Sequence, residues 1–319
     1  MIDNLVYDVG MHNGDDTAYY LARGYRVVAI EADPTLADDG RKRFADALAA
    51  KRLTIVNCAV GPENTKATFW ICPSHRHWNS FIKESAGRNG LEHYPLEVSI
   101  RRFADVMAEY GVPLYLKIDI EGHDHHCLAG INPADPPRYV SWELSDAGEI
   151  YKMRERGYNA FKCISQSTFT PFKPGRTRGS QSLPLRNVLR KRALQTLMAV
   201  PGAMAAAKAV KRTLNGEPSA AGATPGDSPA GEARTLIRSI QWPGGVWDFY
   251  FASSGPFGPD LGGEWKSADE VVYEYLDYWV NLKKRSTGDQ GAWGDWFDIH
   301  ATTLPPDQAP TLEPRAQAR

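Results

Sequence analysis

The constraint that rules out most folds lies near the start of the chain. The apolar run Leu5–Gly10 ends in Asp8-Val9-Gly10 and passes through Met11-His12-Asn13-Gly14 into a helical stretch, Asp15–Arg23. It returns as a second apolar run, Arg26–Ala32. Two β-rich runs joined by a helix make a unit whose strands lie parallel, and such a sheet needs helices on both faces. Gly10 and Gly14 allow a tight turn and a close approach to a ligand that a Cβ would obstruct. Glu31 closes the second run roughly 20 residues after the turn, where an acid can accept hydrogen bonds from both hydroxyls of a ribose.

The rest of the first half repeats this alternation. Strands are predicted at Leu53–Val60, Leu114–Ile120 and Arg138–Leu144, and helices at Pro34–Lys51, Ser99–Tyr110 and Asp124–Gly130. Lys66–Cys72 reads as an extra strand running into a loop. Ser145–Arg156 reads as a helix with Ser145 as N-cap and Gly157 just past its end. The fold class is therefore α/β, a mostly parallel sheet covered by helices. The strands Ala160–Ser165 and Val246–Ala252 are expected to pair as its antiparallel end. Between them, residues 171–245 read as a basic insertion, partly helical around Leu183–Leu214 and otherwise disordered. The main domain is thus predicted over residues 1–170 and 246–300, with a helix at Ser267–Lys284 and a Pro-rich disordered tail over 301–319.

Bulk properties narrow the class. With 42% hydrophobic and 24% charged residues and a formal charge of −1, the 319-residue chain has a normal soluble composition and no overall preference for polyanions. Its four cysteines, Cys58, Cys72, Cys127 and Cys163, form no CxxC pair, which argues against a zinc ribbon or a disulfide scaffold. With neither a leader pattern nor a spanning apolar stretch, the expected location is the cytoplasm.

The turn itself distinguishes ligands. It lacks the G-x-G-x-x-G spacing that seats a pyrophosphate on a helix N-terminus. Asp8 would repel a pyrophosphate at the end of the first strand, yet it suits the ammonium of a methionyl group. Local chemistry thus favours S-adenosylmethionine over a nicotinamide cofactor.

A second block, L-Y-L-K-I-D-I-E-G-H-D-H-H-C-L-A-G from Leu114 to Gly130, adds to the blocks V-Y-D-V-G-M-H-N-G-D-D and V-V-A-I-E-A-D-P. Together with I-V-N-C-A-V-G, Ile55 to Gly61, the sequence resembles the FkbM family of S-adenosylmethionine-dependent methyltransferases over residues 5 to 170. The resemblance implies a Rossmann-like class I methyltransferase fold and O-methylation of a hydroxyl on a saccharide, glycan or related secondary metabolite. It further implies that Asp8, Gly10, His12, Asn13 and Gly14 line the methionyl end of the donor, Glu31 and Ala32 the ribose, and Asn57, Cys58 and Ala59 the adenine. Asp119 and Glu121 would sit close to the transferred methyl. A nicotinamide-dependent sugar-modifying oxidoreductase and a non-catalytic binding module of the same fold are the rival readings.

Transfer to an alcohol oxygen benefits from alignment and from a base that takes the proton. Asp119 and Glu121 are two apart, so they point to opposite faces unless the strand has ended. Asp119 is placed nearer the donor, with Glu121 orienting its neighbours. His123, His125 and His126 follow at once. Their spacing matches no zinc signature, so no metal is assigned; solvated histidines, capping histidines and a base at His123 all fit. His75, His77, Trp78, Asn79 and Ser80 form a second cluster, read either as a polar surface loop with one packing aromatic or as an acceptor site in which Trp78 suits the face of a sugar ring and His77 or His75 a general base.

From Arg156 to Gly216 there is no Asp or Glu, and Leu185–Val200 mixes leucines and arginines at helical spacing. Such a helix packs on its own domain or lies on an anionic membrane surface, making the chain a candidate peripheral protein; nucleic acid is disfavoured because no binding motif accompanies it. Six of the nine tryptophans fall after residue 240, where they either pack a C-terminal helix or line a carbohydrate cleft.

Overall fold

The computed structural model describes residues 1–166, 168–172, 236–242, 244–250, 253–285 and 297–311. Its first half runs β1 (Ile2–Val9), α1 (Asp15–Ala22), β2 (Arg26–Glu31), α2 (Pro34–Arg43), α3 (Ala45–Ala49), β3 (Leu53–Asn57), β4 (Ala59–Val60), β5 (Thr65–Ile71), α4 (Lys83–Ala86), β6 (Tyr94–Arg101), α5 (Phe103–Tyr110), β7 (Pro113–Ile118) and α6 (Asp124–Gly130). It continues through β8 (Tyr139–Glu143), α7 (Gly148–Glu155), β9 (Ala160–Ser165), β10 (Thr170–Pro171), β11 (Leu236–Trp242), β12 (Gly245–Tyr250), α8 (Ala268–Arg285) and β13 (Phe297–Thr302).

The main sheet has the order β10-β9-β13-β8-β7-β1-β2-β3. Strands β3, β2, β1, β7 and β8 are parallel, and β13 lies antiparallel between β8 and β9. The α/β class and the mostly parallel sheet with an antiparallel terminal strand are therefore as the sequence reads. One face carries the apolar core of Tyr7, Val9, Ile118, Trp142 and Ile299, closed by α5, α6, α7 and the Val271, Val272, Tyr275 and Leu276 stripe of α8. The other packs Val6, Ala29 and Tyr115 against Tyr19 and Tyr20 of α1 and against Phe257. Strand order reverses at β1, with β2 on one side and β7 on the other, and a crevice opens there at the carboxyl ends of the strands.

Several elements differ from expectation. The antiparallel partner of β9 is β13, with Ile299 opposite Cys163, and not Val246–Ala252. The latter segment contributes β12, which pairs with β11 as a separate hairpin. Its Trp247 and Phe249 pack on Tyr19 of α1 instead of entering the sheet. Predicted strand Leu53–Val60 breaks at Cys58, so that β4 leaves for a second, three-stranded sheet with β6 and β5. Ser99–Arg101, read as helix, belongs to β6, because Tyr94–Ile100 pairs residue by residue with Thr65–Ile71 and Arg101 pairs with Val60 of β4. Pro34–Lys51 breaks at Phe44 into α2 and α3. The helix expected from Ser145 starts at Gly148, whose N–H is taken by Asp146 Oδ1 at 2.8 Å.

The tail is ordered further than expected. Thr302 is in β13, and Thr311 Oγ1 donates to Leu261 O at 2.9 Å and Gly263 O at 2.7 Å, while Trp265 Nε1 donates to Pro310 O at 2.8 Å. These bonds tie the 309–311 segment to the 261–265 turn, and Lys162 Nζ adds a bond of 3.1 Å to Leu261 O. Most of the 171–245 insertion, including Leu185–Val200, lies outside the described residues. Among the described residues no helix is long and apolar enough to cross a membrane.

Candidate functional site

The crevice at the strand reversal is a cavity of about 360 Å³. Its floor is built on a pair of registered strands: Asp8 of β1 lies beside Lys117 of β7. Lys117 Nζ sits 2.9 Å from Asp8 Oδ1, 2.8 Å from Gly10 O, 3.8 Å from Asp16 Oδ2 and 3.9 Å from Asp119 Oδ2. Thr17 Oγ1 donates to Asp8 Oδ2 at 2.6 Å. Burial alone would lower the Lys117 pKa, but the carboxylates of Asp8, Asp119 and Asp16 outweigh it and raise it. Asp8, expected to line the ligand, is fully buried beneath the floor. A carboxylate in that position requires a cation, and the register supplies Lys117 before any ligand arrives.

Gly10 lines the floor with φ +85°, and a Cβ there would meet the Asp119 carbonyl oxygen at 1.9 Å. Gly14 has a different task. It starts α1 at φ +80°, with the Phe44 ring where a Cβ would be, and it does not line the cavity.

The side wall is the end of β2. Glu31 Oε2 accepts from His12 N at 2.8 Å and Oε1 from Asp33 N at 2.9 Å, which fixes the carboxyl group in the cavity lining. Burial pushes Glu31 up to about 7, against the pull of those two N–H donors. His12, Asn13, Ala32, Cys58 and Ala59 line the same cavity. His12 is pushed down to about 4 by burial and by His77. Asn57 stands behind the wall, where its Nδ2 donates to Glu31 O at 2.8 Å and Ala32 O at 3.2 Å.

At the far end β7 stops at Ile118, and Glu121 (φ 52°) and Gly122 (φ 87°) turn the chain sharply. Because the strand has ended, Asp119 and Glu121 both reach the lining, together with His123. His125 and His126 do not line it; His126 is pushed down to about 4 by burial and by His125. The loop after β5 closes the top with His77 and Trp78. His75 stacks on Trp78 at 4.4 Å and lies off the cavity. Among the described residues, His, Cys, Asp and Glu side chains form no group arranged to hold a metal ion.

Among the lining residues that escaped the sequence reading are Asp16, Glu143, Gln166 and Ser253. Glu143 ends β8 opposite Asp298 of β13. Burial, followed by Glu121, Asp119, Asp124 and Asp298, pushes Glu143 up to about 9. Gln166 Nε2 donates to Asp298 Oδ1 at 2.6 Å. Ser253 Oγ donates to Asp16 Oδ1, and Ser254 N to Asp16 Oδ2 at 2.9 Å, so a distant segment completes the wall. Glu143 carried a usable signal, being an acid at the end of a predicted strand just as Glu31 is. Ser253 carried none.

Residues 8–160 match the model of the methyltransferase FkbM domain. Among solved structures, the crystal structure of methyltransferase FkbM from Methylobacillus flagellatus KT is similar at 19% identity and a TM-score of 0.30, over 44% of this chain and 32% of that one. The similarity thus spans about a third of that relative's length. No curated protein matches the chain. The matched residues 8–160, which carry the Gly10 turn, the Glu31 wall and the Asp119 turn, are thus similar to the methyltransferase FkbM domain.

Proposed function

We propose that the protein is an S-adenosylmethionine-dependent O-methyltransferase acting on a hydroxyl of a saccharide, glycan or related secondary metabolite. The observation that carries the donor is the Gly10–Glu31 pair. A floor that admits no Cβ faces a carboxyl group held by two backbone N–H donors, at the strand reversal of a parallel sheet. The lining fits the donor along its length. Glu31 would accept from ribose hydroxyls, and Ile30, Leu36, Cys58, Val60 and Phe69 give an apolar slot for adenine. Asp16 and Asp119 would face the cationic methionyl end.

The bound donor supplies an electrophilic methyl group for in-line displacement by oxygen. The chain's own part is alignment and proton handling. Lys117 fixes the Gly10 carbonyl and holds Asp8, Asp16 and Asp119 together, so the floor is rigid before binding. Asp119, Glu121, His77 and His123 are among the groups lining the cavity that can take an acceptor proton. Calorimetry with S-adenosylhomocysteine and with NADH tests the donor. Saturable binding of the first and none of the second is expected; binding of NADH alone would overturn the reading. Mass shifts of one methyl group on candidate glycans, with labelled donor, then test the acceptor class.

A further inference from the structure

Asp33 lies outside the cavity lining, yet it holds one of the cavity's walls in place. It is the N-cap of α2, with Oδ1 accepting from Thr35 N at 2.8 Å. For that task Ser, Thr or Asn serves as well as Asp. What the carboxylate adds is a second oxygen, and this one points at the loop after β5. Asp33 Oδ2 takes Arg76 Nη1 at 2.8 Å and Asn79 Nδ2 at 3.0 Å; the Asp33 side chain is 1% exposed and that of Arg76 30%. Asn79 Oδ1 in turn accepts from Cys72 N at 2.8 Å, closing the two ends of the loop on each other. Beyond Asn79, Ser80 and Trp70 exchange backbone bonds of 2.8 and 3.0 Å. One end of the loop is therefore fixed by β5, and its middle is tied to the main sheet through Asp33. Arg76, His77 and Trp78 line the cavity from that loop. Asp33 N also donates to Glu31 Oε1, so the clasp and the acid facing the ligand share one three-residue stretch.

From this geometry we infer that Asp33 is a positioning residue, clasping the 72–82 loop over the donor cavity through Arg76 and Asn79. Its effect on the donor rests on the reading of the cavity given above.

Asp33→Asn separates the two tasks. The amide oxygen still caps α2, while its NH₂ opposes the Arg76 and Asn79 donors; Asp33→Ser keeps the cap and cannot reach the loop. Loss of a charge-assisted clasp is expected to weaken S-adenosylhomocysteine binding about tenfold in both variants. Trypsin should cut unliganded Asp33→Asn after Arg76 about tenfold faster than wild type at a temperature well below the melting transition of either protein. Arg76→Gln should weaken binding in the same direction, and Asp33→Asn/Arg76→Gln no further than Asp33→Asn alone, since that change already removes the contact with Arg76. Wild-type cleavage rates in Asp33→Asn, or binding losses that add in the double variant, would overturn the clasp. Failure of the wild-type protein to bind S-adenosylhomocysteine would overturn the donor reading instead, and the cleavage rates would still decide the clasp.

Discussion

A methyl group added at Gly10 would sit 1.9 Å from the carbonyl oxygen of Asp119. Neither side is free to yield. Asp119 N donates to Val9 O at 2.9 Å and Gly10 N to Ile30 O at 2.9 Å, so both turns are pinned to neighbouring strands. The φ of +85° adds a backbone penalty of about 1 kcal/mol or more for any residue with a Cβ. Gly10→Ala should therefore weaken S-adenosylhomocysteine binding about a hundredfold or more and lower the melting temperature, both readable by calorimetry; an unaffected affinity would refute the close approach. Asp8, two residues earlier, shows the limit of reading one residue at a time. An acid at a strand end is legible as a ligand contact, but its partner Lys117 stands 109 positions away and is set by parallel register. Register between distant strands leaves no local trace, so the floor's ion pair was hidden while its glycine was plain.

Elements were legible where their period was clean and their partners local. β1, β2, β7 and β8 read correctly as short apolar runs between helices. β13 has no counterpart in the sequence reading, since the short run Phe297-Asp298-Ile299-His300-Ala301-Thr302 has its partners β8 and β9 more than 130 positions upstream, and all six of its residues are buried between them. Asp298 and His300 lie on the face that also carries Glu143, Ser141 and Lys162, a polar layer inside the fold. Their apolar neighbours face α8. Ile299 is fully buried there with Trp142 and Val272. Ile299→Ala should cost about 3 kcal/mol, the usual range for a large-to-small change in a packed core, while leaving ligand affinity intact below the melting transition. A denaturant titration reads the first and calorimetry the second. A loss below about 1 kcal/mol would mean that β13 is not the strand joining β8 to β9.

Across the whole molecule, ionisable groups gather on one face of the sheet. Asp8, Lys117, Ser141, His300 and Lys162 form a buried row across successive strands, level in register. Above that row, at the carboxyl ends, stand Asp119, Glu121, Glu143 and Asp298, with Asp124 below them accepting from Ile120 N and Glu143 N at 3.0 and 3.1 Å. Lys117 is held by Asp8 and Gly10, so Glu143 faces mainly other acids and is pushed up to about 9 by burial and by Glu121, Asp119, Asp124 and Asp298. The consequence for stability has a definite sign. In the unfolded chain Glu143 loses its proton at an ordinary carboxyl value of about 4.5, whereas the folded chain holds it to about 9. Between those values the unfolded state binds fewer protons, so this group's contribution, complete below about 4.5, drains away as pH rises towards 9. Glu143→Gln has no such proton to lose. Its melting temperature relative to wild type should rise steadily between pH 5 and pH 9, by on the order of ten degrees, since each pH unit in that window is worth about 1.4 kcal/mol and each kcal/mol moves a domain of this size by about 2–4 °C. A difference that stays flat across that range would show that Glu143 is ionised in the folded protein at neutral pH. The cluster would then have to be balanced by a cation other than Lys117.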